Sequence, residues 1–240
     1  MRVQGVGVGV ERHRLLVVVD PAAVGGGGDA PLVLATQVAR RTGSASGLAG
    51  GTGRSGSGTG DRLSFQALVA EPRQLPLVIV DNDVESPGRG WELRSPGLWA
   101  DHVCEQPDEH WSYGLEAFAL AIDDPAELLG RGYGQRTPLG WELEFEASAR
   151  PRPTGPRSVC QAGIVHGLLL GPGRQIEIEG QALRGHAWDQ PDDEHQAGAL
   201  LGQSLGGDGG DDVVSEVALP TVDGVWWVAR TASGVRTRGA

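Results

Sequence analysis

Residues 138–147 read PLGWELEFEA, and their reading decides the fold. Trp141, Leu143 and Phe145 alternate with Glu142, Glu144 and Glu146. A period of two puts the apolar side chains on one face and the carboxylates on the other, which is a strand with one wet face. Downstream, RPRPTGPR (150–157) reads as a rigid surface loop. Two further strands follow at 159–170 and 174–183, joined by Gly171-Pro172-Gly173, a hairpin turn by composition. Upstream, DDPAELLGRG (123–132) predicts a helical turn or two, with an Asp cap, an early Pro and a closing Gly. HWSYGLEAFALAI (110–122) fits both a period of 2 and one of 3.6. Its aromatic residues and central Gly114 favour a strand.

The remaining elements follow the same rule. Trp91–Arg94 and Leu98–Cys104 are short strands, and LVIV (77–80) is a buried strand that ends in a polar turn, DNDVESPGRG. In 62–70, Leu63, Phe65, Ala67 and Val69 share a face. LLVVV (15–19) and the Gly-alternating Val6, Val8 and Val10 read as strands, residues 31–39 form another apolar run, and VWWVAR (225–230) is a final strand. Nine or more short strands with turns between them predict an all-β, lipocalin-like antiparallel barrel or sheet. The tracts at 41–61 and 189–212 are Gly-rich, bury little, and read as disordered loops. The chain therefore divides into N-terminal strands (1–40), the first loop (41–61), a β core (62–188), the second loop (189–212) and a C-terminal strand region with a tail (213–240).

Composition narrows the function classes. The 240 residues include 39 Gly and 15 Pro and carry a formal net charge of -11, and every basic residue is Arg. An acidic chain lacks the clustered cations that nucleic-acid binding needs. The first 24 residues hold no apolar run long enough for a signal peptide, and no segment reaches the roughly 20 apolar residues of a membrane span. The expected location is cytoplasmic. Two cysteines, Cys104 and Cys160, cannot build a disulfide framework, and reduced thiols are expected.

Two stretches concentrate polar chemistry. Arg94–Phe118 holds Asp101, His102, Cys104, Glu105, His110 and Glu116 among Trp99, Trp111 and Tyr113. His102, Cys104 and His110 could begin a zinc site, but their spacing matches no standard motif. Cys104 with a histidine could be a nucleophile pair, but no positioned base is evident. Hydrogen bonding at a barrel end and a ligand pocket are the other two readings. The second stretch, Gly180–Asp193, places Arg184, His186 and Trp188 on one strand face, where a cation and an imidazole flank an indole. No phosphate loop, dinucleotide turn or nucleophile elbow stands in a plausible context, and no metal or cofactor is called for.

From about Pro76 to Asp189 the chain resembles the lipocalin-like AttH/hydroxyneurosporene-synthase (carotenoid hydratase-like) superfamily, in particular its actinobacterial branch. The similar pieces are GLWADHVCEQPDEHWSYGLEAFALAIDDP, GRGYGQRTPLGWELEFEA, and HGLLLG followed by GQALRGHAWD. The resemblance implies two lipocalin-like halves and the binding of hydrophobic, terpenoid-like molecules. Some members add water across a double bond or close rings. Here the His-x-Trp segment runs into Asp189-Gln190-Pro191 and a Gly/Asp-rich tract, which implies an incomplete second half.

The resulting expectation is a binder of a terpenoid- or polyketide-like small molecule in a Trp-lined cavity. Trp99, His102, Trp111, Tyr113, Arg136, Trp141, Arg184 and Trp188 are expected at the ligand. A lyase or isomerase is the alternative, with Asp101, Glu105 or Glu116 as a proton donor in an apolar setting and His186 assisting. A non-catalytic remnant with a filled barrel is the third reading.

Overall fold

The alternation at 138–147 becomes β8 (Gln135–Ala147), with Trp141, Leu143 and Phe145 buried and Glu142 and Glu146 exposed. The computed structural model describes residues 9–20, 31–42, 62–85, 90–124, 134–190, 213–221, 224–231 and 234–238. The expected disordered tracts and the helical turn at 123–132 lie almost wholly outside these residues. The described residues form strands and turns, with no helix.

An antiparallel run of β1 (Gly9–Val19), β2 (Leu32–Thr42), β3 (Arg62–Ala70) and β4 (Leu77–Glu85) makes one half of a wall. The other half is β7 (His110–Ala121), β8, β10 (Ser158–Gly171) and β11 (Arg174–Gln190). β11 pairs with β1, and β4 pairs back onto β7. These eight strands therefore close into a ring, the all-β, lipocalin-like antiparallel barrel that the sequence predicts. β12 (Val213–Thr221), β13 (Gly224–Thr231) and β14 (Gly234–Arg238) form a separate three-stranded sheet, so the strand containing VWWVAR has a further strand after it.

Closure is uneven, and this positions the site. β4 meets β7 only at Leu77↔Ala121 and Val78↔Leu120. Beyond these pairs the edge of β7 is taken by β6 (Leu98–Gln106), which carries β5 (Leu93–Ser95) on its far side. The β5–β6 hairpin acts as a wedge, tied to β4 by the Ser95 hydroxyl donating to Asp81 Oδ2 at 2.8 Å. The barrel is narrow at the closed end and splayed at the wedged end.

Two expectations change. DNDVE continues β4 instead of turning, because a register shift between Leu63 and Phe65 accommodates the polar residues at a bulge. RPRPTGPR contains β9 (Arg152–Gly155), a short Pro-bearing edge strand on β10.

The interior is packed. Trp141, Tyr113, Phe65 and Phe145 are almost wholly buried among Leu15, Leu34, Leu63 and Leu115. An eight-stranded barrel is just wide enough for side chains to fill it or for one small ligand. The outward side chains differ around the ring. On β8, β10 and β11 they include Glu142, Glu146, Glu177 and Glu179, all exposed. On β1–β3 they include Leu16, Val33, Ala35, Leu68 and Ala70, all buried. β12 lies against β2 and β3. Burial on both faces explains why β1 and β2 read as continuous apolar runs.

Candidate functional site

The polar inward side chains gather at the splayed end. Along β1 the inward row runs Val19, Val17, Leu15, His13, Glu11, from the closed end to the splayed one. On β11 it runs Ile178, Ala182, Arg184, His186, Trp188. His13 and His186 are directly opposed in the ladder, so their imidazoles share one face. They stack with ring centroids 4.2 Å apart and an interplanar angle of 19°. Just beyond them β11 holds one extra residue against β1, a bulge between Val10 and Arg12 that re-aims the chain at the rim.

Glu11 closes the group. Its Oε1 lies 3.0 Å from His186 Nε2 and 3.7 Å from His13 Nε2. The two imidazoles hold the Glu11 carboxyl down at about 2, with His13 the stronger influence although His186 is nearer. Burial, ahead of Glu11's opposing pull, pushes His13 down to about 4, so its ring is neutral at physiological pH. His13 is buried, whereas the Glu11 and His186 side chains are each 29% exposed. The site therefore opens to solvent through Glu11 and His186.

Aromatic faces surround this trio. Trp91 and Trp111 lie 4.5 and 5.3 Å from the His13 ring, and Trp188 lies 5.3 Å from the His186 ring at the exposed rim. Arg184 is buried with its guanidinium 4.5 Å from the Trp111 ring centre, and Arg40 sits in the same way over Trp91. Arg184 donates to Gln161 Oε1, and the Gln161 amide donates to the carbonyls of Asp108 and Ala149 at 2.7 and 3.0 Å. Deeper in the barrel, His102 is buried with its ring edge against Tyr113, and its Nε2 lies 3.4 Å from Thr36 Oγ1. Burial pushes His102 down to about 3 and raises the Tyr113 phenol, so both are neutral.

The residues singled out in the sequence divide by face. His102, Trp111, Tyr113, Trp141, Arg184, His186 and Trp188 lie on the inward rows, with Trp188 at the rim. Trp99, Asp101, Glu116 and Arg136 lie on the outer face. Trp99 and Asp101 alternate with buried Ala100 and His102 and pack over Gly114, where a Cβ would stand 2.4 Å from Asp101 Oδ1. Asp101 accepts a hydrogen bond from the Gly114 amide at 2.8 Å, and burial raises its carboxyl. Glu116 is exposed, and Arg136 is exposed above the Phe118 ring, lining an outer groove with Val80 and Leu120. Cys104 shares the inward parity of Ala100 and His102 and is paired with Trp111, but it lies at the exposed rim, and Cys160 is partly buried.

Sequence reasoning missed Glu11, His13, Gln161, Trp91 and Arg40. A signal existed for the first two. In ERHRLLVVV, Glu11 and His13 share parity with Leu15, Val17 and Val19. They are the polar end of a core-facing row.

Compared with known proteins, the chain matches no family model, no curated protein and no solved structure. Among the described residues, no helix is long and apolar enough to cross a membrane.

Proposed function

We propose that the chain binds a small, largely apolar molecule bearing hydroxyl or carbonyl groups at the splayed end of its barrel. One observation carries this reading. His13 Nδ1, His102 Nδ1, Trp111 Nε1 and Trp141 Nε1 are inward, buried, and without a hydrogen-bond partner among the described residues. Each such atom costs roughly 1–3 kcal/mol. Native interiors contain few of them, so four in one barrel call for an occupant. The two indoles only donate, and a neutral imidazole can either donate or accept. A mostly hydrocarbon molecule with a few oxygens matches that set and the apolar walls, and terpenoids and polyketides have this composition. The resemblance to the AttH/hydroxyneurosporene-synthase superfamily points to the same ligand class. The exposed Cys104 thiol suits a reducing, cytoplasmic setting.

The test is a fluorescence titration of the folded protein against terpenoids, carotenoid precursors, polyketides and fatty acids. Saturable quenching is expected at micromolar ligand. Trp111→Phe keeps the packing and removes one donor, and it should weaken binding by about tenfold, the equivalent of one hydrogen bond. No response across the panel would mean that water alone satisfies these atoms, or that the barrel is a filled remnant, and would overturn the proposal.

A lyase or isomerase is the second reading, favoured by Glu11 lying against His186 at the open end of an aromatic enclosure. Its acid–base groups are then Glu11, His13 and His186, because Asp101 and Glu116 face away from the interior. Turnover of a fluorescence hit that is lost in Glu11→Gln and kept in Asp101→Asn would establish it.

A further inference from the structure

We propose that Glu11, His13 and His186 form a binding site for one divalent transition-metal ion of the zinc type. The ligand atoms of these three side chains all lie within 4.8 Å of one another. With metal–ligand bonds of about 2.1 Å, donors at tetrahedral or octahedral angles stand roughly 3.0–3.4 Å apart. The two separations from Glu11 Oε1, 3.0 and 3.7 Å, bracket that range. Both imidazoles present Nε2 to the same carboxylate oxygen, so the three donor atoms form one cluster at the rim. Tilting the His186 ring, the freer of the two at the rim, opens the stack and completes the triangle.

The scaffold holds the donors in place. His13 and His186 are an opposed pair in the β1–β11 ladder, and Glu11 lies two residues along the same inward row. His13 is wedged between the rings of Trp91 and Trp111, which fixes its orientation. Two imidazoles and one carboxylate suit zinc, iron(II), cobalt or nickel better than magnesium or calcium. Three protein donors leave coordination positions open toward the solvent-exposed rim, as catalytic sites do and closed structural sites do not. A second close histidine–carboxylate contact, His110 with Glu144 at 2.6 Å, lies on the outer wall with no third donor grouped with it among the described residues, and serves as an internal control.

The test uses the full chain with Cys104→Ser and Cys160→Ser, so that thiolates cannot contribute. After removal of metal by chelation, Zn2+ alone is titrated calorimetrically and Co2+ alone by visible absorption. One equivalent is expected to bind, with a cobalt spectrum of nitrogen and oxygen ligation and a raised melting temperature. Glu11→Gln and His186→Ala change partly exposed side chains, so these variants should fold. Each should weaken binding by at least ~10-fold, the effect reached even by outer-shell changes at metal sites. His110→Ala should change nothing. Unaltered binding in both Glu11→Gln and His186→Ala, or no binding by the parent protein, would overturn the proposal. Because the metal is the only probe, this result is independent of whether an organic ligand binds.

Discussion

His102 shows how a single buried residue links acid sensitivity to the barrel interior. It faces Tyr113 and Phe65, touches Thr36, and feels the charge of His13. Burial lowers its pKa from 6.5 to about 3, so the unfolded chain takes up the proton first. The neutral ring therefore contributes its full stability above pH 6.5, and the contribution is lost as the pH falls toward 3. Linkage sets the slope at about 1.4 kcal/mol per pH unit for one such group. His13 adds to the acid loss, as does Glu11 below about pH 4.5. Urea unfolding of the parent and of His102→Gln isolates the His102 share. Between pH 6.5 and 4.5 the variant's stability should fall less steeply, by about that slope. Equal slopes would mean that His102 is protonated or solvated in the folded state.

At the scale of the element, glycine positions separate what a strand needs from what a turn needs. Gly173, in the turn between β10 and β11, has φ +67, and a Cβ there would meet nothing within 4 Å. Gly173→Ala should therefore cost only the left-handed backbone penalty, about 1 kcal/mol. Gly163 lies inside β10, where a Cβ would stand 2.4 Å from both the Glu146 carbonyl and the Phe145 ring. Gly163→Ala must push β8 away or displace a core aromatic, and should cost about 3 kcal/mol, the upper end for overpacking. Urea midpoints compare the two directly, and similar costs would show that β8 and β10 yield easily at this point. The same contrast explains what the sequence revealed. β8 was legible because one face is wet, so Glu142 and Glu146 mark the period. β1 was legible as a strand but not as part of the site, because both its faces are buried and the parity of Glu11 and His13 was hidden between Arg12 and Arg14. The extension of β4 through DNDVE was hidden for a different reason. A bulge breaks the period, and pairing across strands, which no local pattern records, holds those polar residues in the sheet.

The whole barrel is graded from a closed, apolar end to a splayed, polar one, and the wedge of β5 and β6 is what makes the difference. β10 and β11 are paired over 14 residue positions, from Ser158↔Ala187 to Gly171↔Arg174. The contact of β4 with β7 is limited to two. Past Val78, β4 keeps β3 on one side and has only the wedge on the other, including the Ser95–Asp81 hydrogen bond. Local opening is cheapest where few backbone bonds must break. Amides in residues 81–84 and 93–95 should therefore exchange through a low-energy opening, while those of β10 and β11 exchange only with global unfolding. Asp81→Ala removes the side-chain tie and should speed exchange at 93–95 without changing β10 or β11. Native-state hydrogen exchange read by mass spectrometry checks both statements. If residues 93–95 were as protected as β10, the wedge would be part of a uniformly closed wall, and access to the interior would be limited to the rim at Glu11 and His186. If they exchange early, the wedge is the hinged panel beside the Glu11–His13–His186 group, and access to the interior is set by the least stable part of the wall.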